Sequence, residues 1–101
     1  MIVYISIGNS DDKLTQREWS RYCADLQTLL MRLAGVFHGV WYSESGGPWQ
    51  NMCVCLEVGQ PHLVDEVQQS LAGLAGRYRQ DSIAWAEAPQ TTLLRPKEEQ
   101  R

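Results

Sequence analysis

A chain of 101 residues, 44% hydrophobic and 21% charged, is long enough for one domain with a single core. Its net charge of −3, with Lys and Arg scattered singly, argues against nucleic acid as a partner, because phosphate binding requires a basic surface. No apolar run approaches the roughly 20 residues of a membrane helix, and no signal peptide precedes the first strand. These features predict a cytoplasmic protein that does not enter a membrane.

The N-terminal third predicts one strand and one long helix. Residues 2–7 form an apolar run rich in β-branched side chains, which ends at Gly8 and is typical of a strand. Helical periodicity follows over residues 14–34, and Trp19 on its apolar stripe is expected in the core. Gly35 is a natural stop for this helix.

The start of this helix carries two sequence signatures. Thr15 and Glu18 have the T-x-x-E spacing of a capping box, in which each residue bonds the backbone of the other. Leu14 and Trp19 occupy the two positions of a hydrophobic staple. Together they specify where the helix begins.

The rest of the chain predicts a hairpin, a second helix and a last strand. Residues 36–42 and 52–58 are two strands, and the loop that joins them contains Gly46-Gly47-Pro48. The second helix begins at Pro61, which suits a first helical turn. Residues 82–87 form the final strand.

The predicted order is therefore βαββαβ, an α+β fold of the ferredoxin-like sandwich type. It has an antiparallel four-stranded sheet in the usual order 4-1-3-2, with two helices on one face. Residues 1–88 make this single domain. Residues 89–101, dominated by Pro, Thr, Lys, Glu and Gln, are predicted to form a flexible C-terminal tail.

This strand order brings three polar clusters to one edge of the sheet, at residues 9–13, 43–51 and 80–82. Loops at such an edge tend to hold binding groups, and an exposed Trp beside them is typical of a binding hot spot. The predicted binding residues are Asn9, Asp11, Asp12, Trp49, Gln50, Asn51, Gln80 and Asp81.

Two of these clusters also have purely structural interpretations. The backbone after Gly8 would suit an anion, but Asp11 and Asp12 would repel a phosphate, and acidic residues near a helix start are favoured anyway. Asp81 is equally a ligand-binding carboxylate or a turn residue before a strand. Mg²⁺-dependent nucleotide binding at Asp11, Asp12 and Asp81 remains an alternative function.

The cysteines give little support for a metal site. Cys53 and Cys55 point the same way along one strand, which suits a disulfide poorly and indicates a reducing compartment. With His38 they supply only three zinc ligands, and small buried cysteines on a sheet are common. No metal and no cofactor is predicted.

The sheet face away from the helices, here called the open face, is predicted to be semi-apolar. Such a patch usually marks a partner-binding surface or a pocket. We therefore predict a homodimer that forms through this face. The residues predicted to lie on it are Tyr4, Ser6, His38, Val40, Tyr42, Cys53 and Cys55. An alternative is a small dimeric enzyme with a pocket there, lined by Trp41, Tyr42 and Asn51, in which His38 is the acid or base.

Four segments carry a resemblance to a known group: residues 7–14, 38–43, 49–51 and 78–85. With these segments the chain resembles small uncharacterised proteins of actinobacteria and their phages, over most of residues 2–87. The resemblance implies a cytoplasmic, phage-encoded accessory protein, and it brings no established activity or catalytic residues.

The sequence contains no complete set of nucleophile, base and orienting residue. It therefore favours a non-enzymatic binding module over an enzyme. Such a module would engage a host protein or a small ligand through the polar loop edge.

Overall fold

The computed structural model describes residues 1–9, 11–33, 36–44, 47 and 49–97. Its elements are β1 (Ile2–Gly8), α1 (Gln16–Leu33), β2 (Val36–Tyr42), β3 (Asn51–Glu57), α2 (Pro61–Arg77) and β4 (Ala84–Ala88). Parts of the predicted loops, the end of the first helix and the tail lie outside the described residues, namely Ser10, Ala34, Gly35, Ser45, Gly46, Pro48 and 98–101.

The four strands form one antiparallel sheet in the order β2-β3-β1-β4. Counted from β4, this is the order 4-1-3-2 that the sequence predicts. The predicted α+β class, with a four-stranded antiparallel sheet and two helices, is confirmed. Within the described residues β2 and β4 are the edge strands, and β1 and β3 lie in the centre.

The core lies between the sheet and both helices. Alternate residues of the central strands point toward it, and Ile5 of β1 and Val54 of β3 are fully buried. Leu26 of α1 and Val67 of α2 are equally inaccessible to solvent, and all four belong to one cluster. Each such side chain contributes about 1.5–3 kcal/mol through burial. Trp19 is 8% exposed and belongs to this core, as predicted.

The pairing of β2 with β3 contains one irregularity. Phe37 pairs with Leu56, but the next pair joins Gly39 to Cys55, so that His38 is an extra residue on β2. This is a β-bulge, in which two residues of one strand lie opposite one residue of its neighbour. Because strand side chains alternate with a period of two, one extra residue reverses the face of every side chain that follows.

The bulge corrects the predicted composition of the open face. Val40 is half-buried against the core, and Tyr42 turns to α1, where its Oη accepts a hydrogen bond from Gln27 Nε2 at 2.7 Å. The prediction that Val40 and Tyr42 lie on the open face is therefore wrong. Trp41, which is 55% exposed and pairs with Cys53, takes that face instead.

The segment after β4 continues without regular secondary structure. Residues 89–97 are exposed throughout, and Leu93 and Leu94 are 86% and 89% exposed. In the described parts of the chain, neither helix is both long and apolar enough to cross a membrane.

Candidate functional site

The three predicted polar clusters meet at one edge of the sheet, where β1 ends, the β2–β3 loop turns and the segment before β4 begins. The Asn9 Nδ2 atom donates a hydrogen bond to Gln50 Oε1 at 2.9 Å, which joins the first cluster to the second. Lys13 Nζ lies 3.2 Å from Asp81 Oδ2, which joins the first cluster to the third. The topology therefore brings these clusters together as the sequence predicts.

Asn9 lies beneath this edge rather than on it, since only 2% of it is exposed. Its Oδ1 accepts a hydrogen bond from the Leu14 N–H at 3.0 Å, and its Nδ2 donates to the Leu14 carbonyl at 3.0 Å. Its backbone N–H donates to the Gln50 carbonyl at 2.8 Å. Asn9 closes the turn between β1 and α1, and that is a structural role.

Gly8 lies close to the β2–β3 loop at the same edge. A Cβ atom at Gly8 would come within 2.7 Å of Asn51 Oδ1 and 3.4 Å of the Gln50 carbonyl. A larger residue at position 8 would therefore displace the exposed Asn51 side chain, whereas the loop backbone lies at an ordinary contact distance.

A polar pocket of about 520 Å³ opens at this edge, between the start of α1 and the β2–β3 loop. Gln16 and Gln50 form one wall, and their amides exchange two hydrogen bonds of 3.0 and 2.7 Å. We call this the edge pocket; its lining residues are Asp12, Gln16, Trp19, Tyr42, Ser43, Glu44, Gly47, Gln50 and Asn51.

The charged residues described in the lining of the edge pocket are all acidic. Asp12 and Glu44 are its charged lining residues, and no basic side chain is among the described residues that line it. Asp12 has a φ of 56°, in the left-handed region, and its N–H donates to the Asn9 carbonyl at 3.2 Å. Asp and Asn tolerate this conformation better than most residues. The pocket is therefore suited to hydrogen-bond donors and positive charge.

Two exposed aromatic side chains lie in or beside the edge pocket. Tyr42, in its lining, is 57% exposed, and Trp49 in the adjoining β2–β3 loop is 60% exposed. The prediction that Trp49 is exposed at this edge is confirmed. Aromatic faces of this kind attract cations and provide rigid contact area.

The third polar cluster lines a different cavity. Gln80, Asp81 and Ser82 border a groove of about 380 Å³ between α2 and β4. We call this the α2–β4 groove; its other lining residues are Gln68, Leu71, Ala72, Ala75, Gly76, Ile83 and Trp85. Of the predicted binding residues, Asp12, Gln50 and Asn51 line the edge pocket, Gln80 and Asp81 line the α2–β4 groove, and Asn9, Asp11 and Trp49, which the structure also describes, line neither cavity.

Two carboxylates of the Mg²⁺ alternative, Asp11 and Asp81, meet around a lysine side chain. Lys13 Nζ lies between Asp81 and Asp11, at 3.2 and 3.7 Å, so an ammonium group already occupies the space between them. Asp12 lines the edge pocket instead. Among the described residues, no group of three or more His, Cys, Asp or Glu side chains is placed to hold a metal ion.

His38 lies apart from the cavity that the other residues of the enzyme alternative line. His38 is exposed on the bulge, with its Nε2 3.5 Å from Glu57 Oε1. The three cysteines are free. A cavity of about 340 Å³ does open beside Cys53 of the open face, and the predicted pocket residues Trp41, Tyr42 and Asn51 line it. His38, the predicted acid or base, is not among its described lining residues.

The predicted capping box is present at the start of α1. Thr15 N–H donates to Glu18 Oε1 at 3.0 Å, and Glu18 N–H donates to Thr15 Oγ1 at 3.1 Å. Arg79, which follows α2, donates from Nη2 to Glu18 Oε2 at 2.8 Å. The backbone hydrogen bond from Thr15, and then the bond from Arg79, lower the pKa of Glu18 to about 2.

This lowered pKa predicts a specific pH dependence of stability. Because the folded-state pKa of Glu18 is about 2 and its ordinary value is 4.5, its stabilising effect is complete above pH 4.5 and is lost as the pH falls toward 2. Urea unfolding of the wild type and of Glu18→Gln should differ most near neutral pH, and the two should converge in acid. The exposed Glu66→Gln substitution is the control, and a difference that stays constant with pH would contradict the assignment.

Sequence reasoning missed several residues that build the edge pocket. Gln16 is absent from the predicted binding residues, although its place in the first turn of α1 is a usable signal, since that turn lies beside the end of β1. Tyr42 was assigned to the open face because the bulge has no recognisable sequence signal. Ser43 and Glu44 were included only as part of a loop.

The comparisons with known proteins give no further guide. No protein-family model, curated protein or solved structure matches this chain. Functional interpretation therefore rests on the geometry of the edge.

Proposed function

We propose that this protein is a non-enzymatic binding module that engages a partner protein or a small ligand through the edge pocket. The observation that carries the proposal is a concave, polar pocket of about 520 Å³ at the point where the loops converge. Ligand sites in proteins are commonly clefts of roughly 300–1,000 Å³ with a few convergent polar groups.

The lining chemistry favours a cationic group on the ligand. Asp12 and Glu44 provide negative charge, and the Gln50 and Asn51 side chains provide amide groups. Tyr42 presents an exposed ring that is suited to a cation–π contact. An Arg or Lys side chain of a partner, or a small amine, matches all three properties.

The same lining favours binding over catalysis. Ser43 Oγ accepts a hydrogen bond from the Asn51 N–H at 2.9 Å, and no His or Cys is among the described residues that line the pocket. Serine nucleophiles are usually activated by a histidine or lysine base, and neither residue type is among the described residues that line the pocket.

The proposal is tested by mapping charged peptides onto the protein by NMR. We expect a tri-arginine peptide to shift the side-chain amide signals of Gln16, Gln50 and Asn51, because these groups line the pocket. A tri-glutamate peptide at the same concentration is the control and should leave them in place. If the tri-arginine peptide leaves these signals unchanged, or if the tri-glutamate peptide shifts them equally, the edge pocket is not a site for a cationic group.

A further inference from the structure

The outer edge of β4 has backbone groups that no described strand pairs with. β4 bonds to β1 on one side, and it is the last strand of the sheet on the other. Met1, directly before β1, exchanges two backbone hydrogen bonds with Val58, of 3.1 and 2.9 Å. Because the bonding direction alternates along a strand, the odd-numbered residues of β1 bond to β3 and the even-numbered ones bond to β4.

This alternation identifies the outward-facing residues of β4. Tyr4 pairs with Ala86, so the alanines of β4 direct their N–H and C=O groups to β1. Trp85 and Glu87 therefore direct theirs to the outer edge. Their side chains lie on the helix face of the sheet, since Trp85 pairs with the fully buried Ile5. β4 contains no Lys or Pro, which are residues that commonly protect an edge from pairing.

The α2–β4 groove opens beside the same edge, on the helix face. Ile83 and Trp85 line it from the sheet, and Leu71 and Ala72 line it from α2. Directly opposed residues of neighbouring strands share a face, so a strand added to β4 would direct alternate side chains toward this groove. The edge thus offers backbone hydrogen bonds and an apolar pocket to the same segment.

The charge beside the groove is negative. Glu87 is exposed on the same face as Trp85, and the Asp81 side chain is 92% exposed beyond the other end of β4. Lys13 contacts Asp81 at 3.2 Å but also contacts Asp11 at 3.7 Å, so this cluster keeps a net negative charge. No basic side chain is among the described residues that line the groove. Basic side chains of a partner would complement this charge.

We propose that β4 binds an extended peptide segment of a partner protein, which adds to the sheet as a further antiparallel strand. An apolar side chain of the segment lies opposite Trp85 and enters the α2–β4 groove. Basic side chains two positions to either side lie opposite Glu87 and Ile83. The second of these reaches Asp81, because two residues of an extended strand span only about 7 Å. This inference is independent of the edge pocket.

A peptide suits this surface better than other occupants do. The outward N–H and C=O groups of Trp85 and Glu87 provide main-chain bonds to any extended segment, and the groove selects its side chain. A small apolar molecule would fill the groove but leave the edge unpaired and the carboxylates uncompensated. β4 of a second copy would bring another acidic edge against the first, and like charges in contact are unfavourable.

Amide hydrogen exchange of the full-length chain tests the proposal with the end-blocked peptide Thr-Arg-Thr-Leu-Thr-Arg-Thr. At saturation we expect exchange of the Trp85 and Glu87 N–H groups to slow by at least roughly tenfold, because both gain hydrogen bonds. The Ala86 N–H already bonds to β1, so its exchange rate should change less. No binding, or no protection of the Trp85 and Glu87 N–H groups, would overturn the proposal.

Two methylated peptides separate strand addition from side-chain contact alone. N-methylation of the peptide leucine removes an N–H that faces β4, whereas N-methylation of the threonine before it alters an N–H that faces away. The first peptide should bind at least roughly tenfold more weakly than the second, which has the same composition. Equal binding of the two would rule out pairing with β4.

Two variants of the protein test the groove itself. Ala72→Phe fills the groove, whereas Gln69→Phe makes the same change at another exposed position of α2 that is not among the lining residues. Only Ala72→Phe should weaken binding of the peptide, and equal binding by both variants would contradict the role of the groove. Protection of the Trp85 N–H that rises with protein concentration in the absence of peptide would assign the edge to a second copy, and would equally overturn the proposal.

Discussion

Replacing Asn9 with Ala is expected to lower the free energy of unfolding by about 3 kcal/mol, although the residue belongs to a polar loop. The Asn9 side chain is the hydrogen-bond partner of both the N–H and the carbonyl of Leu14, which is itself 3% exposed. Alanine would leave these buried groups and one bond of Gln50 unsatisfied. Urea unfolding followed by circular dichroism measures the loss.

Two neighbouring substitutions calibrate this expectation. Thr15→Ala removes one side-chain cap of α1 and should cost about 1 kcal/mol. Gln16→Ala removes only an exposed amide pair and should cost less than about 1 kcal/mol. If Asn9→Ala costs no more than Thr15→Ala, water replaces the lost partners and Asn9 is not the structural centre of the edge.

Replacing Val40 with Glu is expected to destabilise the monomer fold by about 3 kcal/mol or more. The bulge at His38 turns Val40 toward the core, where a carboxylate would lie half-buried without a basic partner in its cluster. A homodimer through an open face that included Val40 would give a different result, the dissociation of the dimer into folded monomers. Thermal unfolding at low protein concentration distinguishes the two outcomes.

Trp41→Glu is the matched control for the register of β2. Trp41 is 55% exposed on the open face, so the same charge one residue further along should change stability by less than about 1 kcal/mol. A larger effect at Trp41 than at Val40 would mean that the strand lacks the bulge and keeps its simple alternation.

The parts of the fold that were predictable depend on local or topological rules. The capping box of Thr15 and Glu18 is formed by residues three apart, so its spacing alone is informative. Pro61 begins α2 as predicted, since proline fits the first turn. The strand order follows from how two βαβ-type connections fit one antiparallel sheet.

The parts that were not predictable depend on pairing between distant residues. The bulge arises between Phe37 and Gly39, which pair with consecutive residues of β3. The sequence of β2 alone does not show how many residues of β3 lie opposite it, so the extra residue cannot be predicted. Asn9 is polar and follows a strand, so the sequence predicts that it lies on the surface. Its burial is possible only because Leu14 and Gln50 supply partners for its amide, and those contacts exist only in the folded chain.

The central claim is that the edge pocket binds a cationic group, and calorimetric titration of a tri-arginine peptide tests it most directly. Three proteins are compared: the wild type, a variant with Asp12→Asn and Glu44→Gln, and a control with Asp65→Asn and Glu66→Gln. Each double substitution removes two negative charges, but Asp65 and Glu66 are exposed on α2 and do not line the pocket.

We expect the peptide to bind the wild type and the Asp65/Glu66 control alike. We expect the Asp12/Glu44 variant to bind at least roughly tenfold more weakly, which corresponds to about 1.4 kcal/mol. Equal weakening of both variants would mean that the peptide responds only to the net charge of the protein. Equal binding by all three proteins would mean that the peptide binds outside the edge pocket. Either result would contradict the assignment of the edge pocket as the binding site.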